Sequence, residues 1–209
     1  MNSLELDSQL CVSSFNSTGF GQDKIDFMKT LLLFSDIFCI QEHFLLSDNT
    51  SKIQQVFGNQ FDMFIEPAVK SNSKVSRGRA KGGLCTMWKK GLTKYVTKEN
   101  TQNFRIQATK FQFPSTNLLV INCYFMCDPQ GAFDDDELLE LLADIRLVIE
   151  RAGCQNVTLL GDLNCDFSRQ SPFVQIVKGF CEDLDLKSIW SKPVNTDKKL
   201  QLYHIHFSK

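Results

Sequence analysis

The sequence predicts an α/β protein built in layers, and three observations predict it. Short apolar runs of the length of buried strands recur along the chain, amphipathic helices are interspersed among them, and several runs close abruptly on a polar side chain. With 209 residues, 43% of them hydrophobic, the chain can bury one substantial core and is short for two. One domain over residues 1–209 is therefore expected.

Leu10 to Phe15 reads as a short strand bounded by the turn-rich Asn16-Ser17-Thr18-Gly19. Lys24 to Phe34 carries Ile25, Met28, Leu31 and Leu32 at the spacing of a helix face, and Ile37 to Ile40 is the next buried strand, followed at once by Gln41-Glu42-His43. Phe61 to Glu66 is strand, whereas Lys70 to Gly83 has the serine, glycine and basic residues of an exposed loop. Leu84 to Trp88, Thr93 to Val96, Ile106 to Phe113 and Leu118 to Phe125 add four strands, the last almost fully apolar. Asp136 to Arg151 is the clearest helix. Its stripe is Leu138, Leu141, Leu142, Ile145, Val148 and Ile149, with acidic residues before it and Gly153 after it. Val157 to Leu160 follows as strand, and Ser171-Pro172 supplies the cap and first turn of a helix carrying Phe173, Ile176, Val177 and Phe180 inward.

Composition narrows the function classes. A net charge of −1 excludes a broadly basic protein, so attraction to nucleic acid must come from a local patch. The 18 Phe against 3 Tyr and 2 Trp place most of the aromatic content inside. Eight cysteines fall mostly within apolar runs and read as small core residues, and no secretory signal opens the chain. No disulfide-linked partner is expected, and an intracellular location, nucleus or cytoplasm, follows. Cys123 and Cys127 have no second pair with zinc spacing, and the sequons at Asn16, Asn49 and Asn156 read as accidental. The longest apolar stretch, Leu31 to Ile40, is interrupted by Ser35 and Asp36 and is too short for a bilayer, so no membrane association is expected.

Four strand ends carry the chemistry. Leu159-Leu160-Gly161-Asp162-Leu163-Asn164 delivers a carboxylate and an amide to a sheet rim; Asn16 and Glu42 end two other strands, and Tyr124 lies near the end of a fourth. In layered α/β architectures functional groups collect where strands give way to loops, so these four can converge. Two carboxylates and an amide are oxygen donors of the kind magnesium takes, with waters and a phosphate oxygen completing its shell. Taken singly, each residue has an ordinary reading: Asn16 as a turn former, Glu42 as a cap, Tyr124 as a core aromatic, and Asp162 with Asn164 as a turn bonded to its own backbone. Their joint occurrence points to a metal-dependent phosphodiesterase.

Ser14-Phe15-Asn16 with Gly19, the run Asp36 to His43, Gly78-Arg79-Ala80-Lys81-Gly82-Gly83, Asn122-Cys123-Tyr124, and Gly161-Asp162-Leu163-Asn164-Cys165-Asp166 resemble the ordered motifs of the endonuclease/exonuclease/phosphatase superfamily. Within it the likeness is nearest to the apurinic-endonuclease-like domain of LINE-type retrotransposons. The resemblance implies a four-layered α/β sandwich, two mixed β-sheets face to face and flanked by helices, and a DNA-nicking activity that uses Mg²⁺, with Mn²⁺ as an alternative. It implies Glu42 as the principal metal ligand with Asn16 beside it. Asp162 would orient or activate the attacking water, Asn164 would hold the scissile phosphate, Tyr124 would donate to it, and Arg79 and Lys81 would contact the DNA backbone. The superfamily's closing Ser-x-x-Asp-His segment does not occur here, so the domain is expected to lack its last strands, and the final stretch with His204 and His206 resembles the strand before it. Without that imidazole, metal binding can survive where turnover does not. Two other readings stay open: a phosphatase acting on a phosphoinositide or small phosphoester, and an inactive remnant that binds nucleic acid or protein through the loop 70–81 or an exposed sheet edge.

Overall fold

The protein is described by a computed structural model over residues 10–70, 80–127, 135–187 and 200–205. The chain runs β1 (Leu10–Asn16), α1 (Gln22–Leu32), β2 (Ile37–Gln41), α2 (Ser51–Phe57), β3 (Phe61–Glu66), β4 (Leu84–Lys89), β5 (Val96–Glu99), β6 (Ile106–Gln112), β7 (Asn117–Tyr124), α3 (Asp136–Ala152), β8 (Asn156–Asp162), α4 (Pro172–Asp183) and β9 (Leu200–Ile205). The strands form a five-stranded sheet in the order β3-β4-β2-β1-β9 and a four-stranded sheet in the order β5-β6-β7-β8. Both are mixed. In the first, only β1 and β2 are parallel. In the second, only β7 and β8 are.

Three apolar seams hold four layers together. α1 and α2 pack Ile25, Met28, Leu31, Leu32, Ile53 and Phe57 on the outer face of the first sheet, against Phe15, Phe38, Ile40, Cys85 and Met87. α3 and α4 cover the outer face of the second sheet, setting Leu138, Leu141, Leu142, Ile145, Val148, Phe173 and Val177 on Ile106, Ala108, Leu119, Ile121 and Cys123. Between the sheets lie Leu10, Val12, Ile37, Cys39, Trp88, Phe111, Leu118, Val120 and Leu160. Each fully buried Leu, Ile or Phe contributes about 1.5–3 kcal/mol by leaving water.

The middle seam changes character along its length. Residues of one sheet face recur every second position, and on the inward face β1 reads Leu10, Val12, Ser14, Asn16 and β2 reads Ile37, Cys39, Gln41. β7 reads Leu118, Val120, Asn122, Tyr124 and β8 ends Leu160, Asp162. All four begin apolar and end polar. Buried amides finish the seam: Gln41 Nε2 donates to Asn122 Oδ1 at 2.6 Å, Asn122 Nδ2 donates to the carbonyls of Ile40 and Cys85 at 3.2 Å each, and Ser14 Oγ donates to Gln41 Oε1 at 3.2 Å.

The helix expected from Asp136 closes as the sequence indicates, with Gly153 left-handed at φ 57° and its N–H returning to the Ile149 carbonyl. Ser171 caps α4 by accepting from the Val174 N–H. Thr93 to Val96 departs from expectation: Lys90–Tyr95 forms a 3₁₀ turn, and the strand starts only at Val96. Thr93 Oγ1 explains the turn, because it accepts from Trp88 Nε1 at 3.1 Å while donating to the Asp62 carboxylate, two bonds an extended strand would not allow. α2, which has only the pair Ile53 and Phe57 as a buried stripe, was not anticipated.

Candidate active site

Among the described residues the parallel neighbours are β1 with β2 and β7 with β8, and the bond between Asn16 at the end of β1 and Asp162 at the end of β8 brings the C-terminal ends of both pairs to one rim. There the two sheets touch through polar atoms. Asn16 Nδ2 donates to Asp162 Oδ2 at 2.6 Å, and Asn16 Oδ1 accepts the Thr18 N–H at 3.0 Å. The other carboxylate oxygen, Asp162 Oδ1, accepts the Asn164 N–H at 3.1 Å, while Asn164 Nδ2 donates to the Phe125 carbonyl at 2.9 Å. Asp162 is thus oriented from both sides.

The residue before it makes this approach possible. Gly161, at φ 135°, pairs with Cys123 across β7 and β8, and a β-carbon there would fall 2.0 Å from the Cys123 carbonyl oxygen. Only glycine fits.

Glu42 enters from the adjacent loop. Its backbone is left-handed at φ 54°, and its carbonyl accepts the Gly19 N–H at 2.7 Å, while the Gln41 carbonyl takes both the N–H and the hydroxyl of Ser17 at 2.9 and 3.1 Å. These bonds lace the loops after β1 and β2 together. Thr18, Phe44 and Asn164 also have φ between 46° and 56°, so four residues of this rim hold a backbone that non-glycine side chains seldom adopt. Such strain persists where surrounding contacts impose it, and it clusters at functional sites.

The Tyr124 hydroxyl faces the Glu42 carboxylate, close enough for hydrogen bonding to hold its proton. Burial first, then this bond and the charge of Glu42, push the phenol up, so Tyr124 remains a proton donor throughout the neutral range. Asp162 is also raised. Burial is the main cause, Asn16 and the Asn164 N–H oppose it, and the charge of Glu42 adds to it. Two carboxylates therefore feel each other at a half-buried rim. The donors here are all oxygens, and a hard divalent cation would offset the charge coupling that disfavours ionised Asp162. Glu42, Asp162 and the Asn16 amide oxygen fit such a cation. Mg²⁺ retains several waters and needs few protein ligands; among the described residues no group of three His, Cys, Asp or Glu, at this rim or elsewhere, is gathered as a metal cluster.

The rim brings together Asn16, Glu42, Tyr124, Asp162 and Asn164, all five expected from sequence. Lys81 lies alongside: its backbone bridges Val69 in both directions at 2.9 and 3.0 Å, and the carbonyls of the next residues, Gly82 and Gly83, accept the N–H groups of Phe44 and His43. Its side chain is exposed. Arg79 and His206 lie outside the described residues, and His204 is described only as part of the β9 backbone.

His43, next to Glu42, is not a catalytic base. It is fully buried; Nδ1 accepts the Leu45 N–H at 3.0 Å, leaving Nε2 to donate to the Glu66 carbonyl at 3.1 Å, and burial pushes its pKa down to about 4. Sequence reasoning missed Arg105. Its guanidinium sits 5.4 Å from the Tyr124 ring centroid, bonds Glu137 through Nε and Nη2 at 3.2 and 3.0 Å, and reaches the Tyr124 carbonyl at 3.4 Å. The available signal was the pair Phe104-Arg105 placed directly before a strand.

No family model matches the chain, and no curated protein matches it. Solved structures do. The AP endonuclease LMAP from Leishmania major superposes with a TM-score of 0.58 at 14% identity, over 83% of this chain and 66% of that one. The catalytic domain of APE2 from Xenopus laevis gives 0.57 at 18% identity, over 82% and 67%. The fold is the one that these two solved AP endonucleases have. The endonuclease domain of TRAS1, a telomere-specific non-LTR retrotransposon, shares this AP-endonuclease-like sandwich with a TM-score of 0.54 at 12% identity, over 85% of this chain and 73% of that one. The chain spans about two thirds of the length of the first two structures. At these identities it is the sandwich that is shared, and the two parallel strand pairs of this AP-endonuclease-like fold are what carry the rim.

Proposed function

We propose that the chain is a DNA-nicking phosphodiesterase of the retrotransposon-endonuclease type, dependent on Mg²⁺ or Mn²⁺ and acting at the rim where Asn16 meets Asp162 and Tyr124 meets Glu42. That double meeting of residues far apart in sequence is the observation that carries the reading. Glu42, with Asn16 beside it, holds the cation. When bound, the cation would supply a positive charge for the phosphate oxygens and would favour the ionised form of Asp162.

Asp162 accepts the proton of the attacking water. Its Oδ1 and Oδ2 are each fixed by one hydrogen bond, which leaves further lone pairs for a water, and its raised pKa makes it a better base than a solvated carboxylate. Asn164, anchored through one amide hydrogen on the Phe125 carbonyl, keeps a second for a phosphate oxygen. Tyr124 has one hydroxyl proton, engaged by Glu42 in the free protein; with Glu42 turned to the cation, that proton is donated in a hydrogen bond to the phosphoryl group as charge builds there. Lys81, with Arg79, contacts the backbone phosphates of the strand, which gives a salt-dependent affinity without sequence preference. A reducing compartment, nucleus or cytoplasm, remains part of this proposal, on the placing of the eight cysteines in apolar runs of the sequence.

The test is conversion of supercoiled plasmid to the nicked form in Mg²⁺, with Asp162→Ala and chelator controls and a parallel assay on a soluble phosphomonoester. Nicking that falls at least a hundredfold in Asp162→Ala supports the proposal. A silent wild-type protein, full activity in the variant, or hydrolysis of the monoester alone overturns it.

A further inference from the structure

Beside the rim lies an aromatic surface that the proposed chemistry does not use. Phe104 is 42% exposed although it sits two residues before β6, where the chain turns into the sheet. The backbone of Gly82 passes its edge, so that a β-carbon on that glycine would lie 3.8 Å from Phe104 Cδ2. The Arg105 guanidinium carbon lies 5.1 Å from its ring centroid. The same guanidinium lies 5.4 Å from the Tyr124 ring. Phe104 and Tyr124 therefore flank one cation that Glu137 and the Tyr124 carbonyl hold in place, and whose side chain is only 15% exposed. An exposed apolar ring kept at a fixed position costs solvation, and its neighbours here are Gly82, next in the chain to Lys81, and Arg105, which packs on the Tyr124 ring.

We propose that Phe104, fixed between the Gly82 backbone and the Arg105 guanidinium, is the stacking platform for an unpaired nucleobase of the strand being cleaved. This rests on the nuclease reading above and deepens it. A small phosphoester has no base to place there. A fully paired duplex keeps both faces of its bases stacked on their neighbours, whereas an unpaired base offers its π-face to an aromatic ring, in a contact that tolerates any base. Arg105 adds to the platform, because a guanidinium held beside the ring by Glu137 fixes it in place for stacking. The preferred substrate then has an unpaired nucleotide at or next to the scissile phosphate.

Two fluorescent single-stranded oligonucleotides of equal length test this on the full chain in Mg²⁺, one carrying bases and one built wholly of base-free deoxyribose phosphate. Affinities are measured for the wild type, Phe104→Ala and Phe104→Trp. The base-bearing strand should bind the wild type about tenfold more tightly than the base-free strand, Phe104→Ala should erase that difference, and Phe104→Trp should keep it. A 2-aminopurine in the base-bearing strand should lose fluorescence on binding the wild type and Phe104→Trp, and not on binding Phe104→Ala. Equal affinity of the wild type for both strands overturns the platform and leaves the nuclease reading standing. An undiminished difference in Phe104→Ala does the same. No binding of either strand also overturns the platform, while the nuclease reading stands or falls by plasmid nicking.

Discussion

Gln41 Nε2 donates to Asn122 Oδ1 at 2.6 Å, so a buried amide of one sheet grips a buried amide of the other directly behind the rim. Gln41 precedes Glu42 in the chain, and Asn122 stands two residues before Tyr124 on the same strand face. The bond thereby sets the spacing of the loops that carry the proposed cation ligand and the proposed phosphate donor. Asn122 also donates to carbonyls of β2 and β4, so its removal strands several buried partners at once. Asn122→Leu should cost about 2–4 kcal/mol in chemical denaturation, and more than Val120→Ala on the same strand. A loss under about 1 kcal/mol would show that the amide lattice does not join the sheets.

Mg²⁺ should raise the melting temperature of the wild type through Glu42, because a ligand that binds only the folded chain stabilises it by mass action. Scanning calorimetry across millimolar Mg²⁺ reads the shift, and Glu42→Ala should abolish it. An equal response in the variant would place the cation elsewhere.

Asp162 illustrates a conflict between stability and chemistry. Its pKa is higher in the folded chain than in the unfolded one, so its contribution to stability is present below the unfolded carboxylate pKa and is lost as pH rises through the folded value. At neutral pH the ionised group is a burden on the fold. Asp162→Asn should therefore melt a few degrees above the wild type in chelator while losing nicking activity. A lower melting point would mean that the bonds from Asn16 and Asn164 outweigh the burial of the charge.

His43 titrates in the opposite direction. Its folded pKa of about 4 lies below the unfolded 6.5, so the stability it contributes is complete above pH 6.5 and is lost as pH falls through about 4. The unfolding free energy of the wild type should decline across that window, by up to about 3 kcal/mol from this group, and the slope should flatten in His43→Gln. Denaturant titrations at pH 7 and pH 5 measure it; identical slopes in the two proteins would acquit the histidine.

Gly161→Ala should fail as a folded protein or lose at least about 3 kcal/mol, since its β-carbon would meet the Cys123 carbonyl oxygen and its backbone is held at φ 135°. Gly153→Ala, at a left-handed helix end with open space around it, should cost only about 1 kcal/mol. Comparable losses in the two variants would remove the close approach of β8 to β7 as an explanation.

Much of this arrangement was legible in the sequence because the strands that carry the rim are apolar runs ending in Asn16, Glu42, Tyr124 and Asp162. Burial on both faces writes such runs plainly, and an abrupt polar ending has few other causes. The turn at Lys90–Tyr95 was hidden because Thr93 obeys side-chain partners, Trp88 and Asp62, that only tertiary structure supplies. α2 was hidden by its seven residues, too few for a periodicity to show. Phe104 and Arg105 escaped notice for a different reason. Their meaning lies in what they touch, Gly82, Glu137 and Tyr124, and no spacing along the chain encodes that company.

The separate seams have a consequence for how the molecule ages under mutation. Damage to α3 or α4 loosens an outer cladding, while Leu10, Val12, Val120 and Leu160 still clamp sheet to sheet and keep Asn16 in register with Asp162. The seam between the sheets is the one that both halves of the strand-tip geometry share, so a change in its packing bears on Asn16 and Asp162 together.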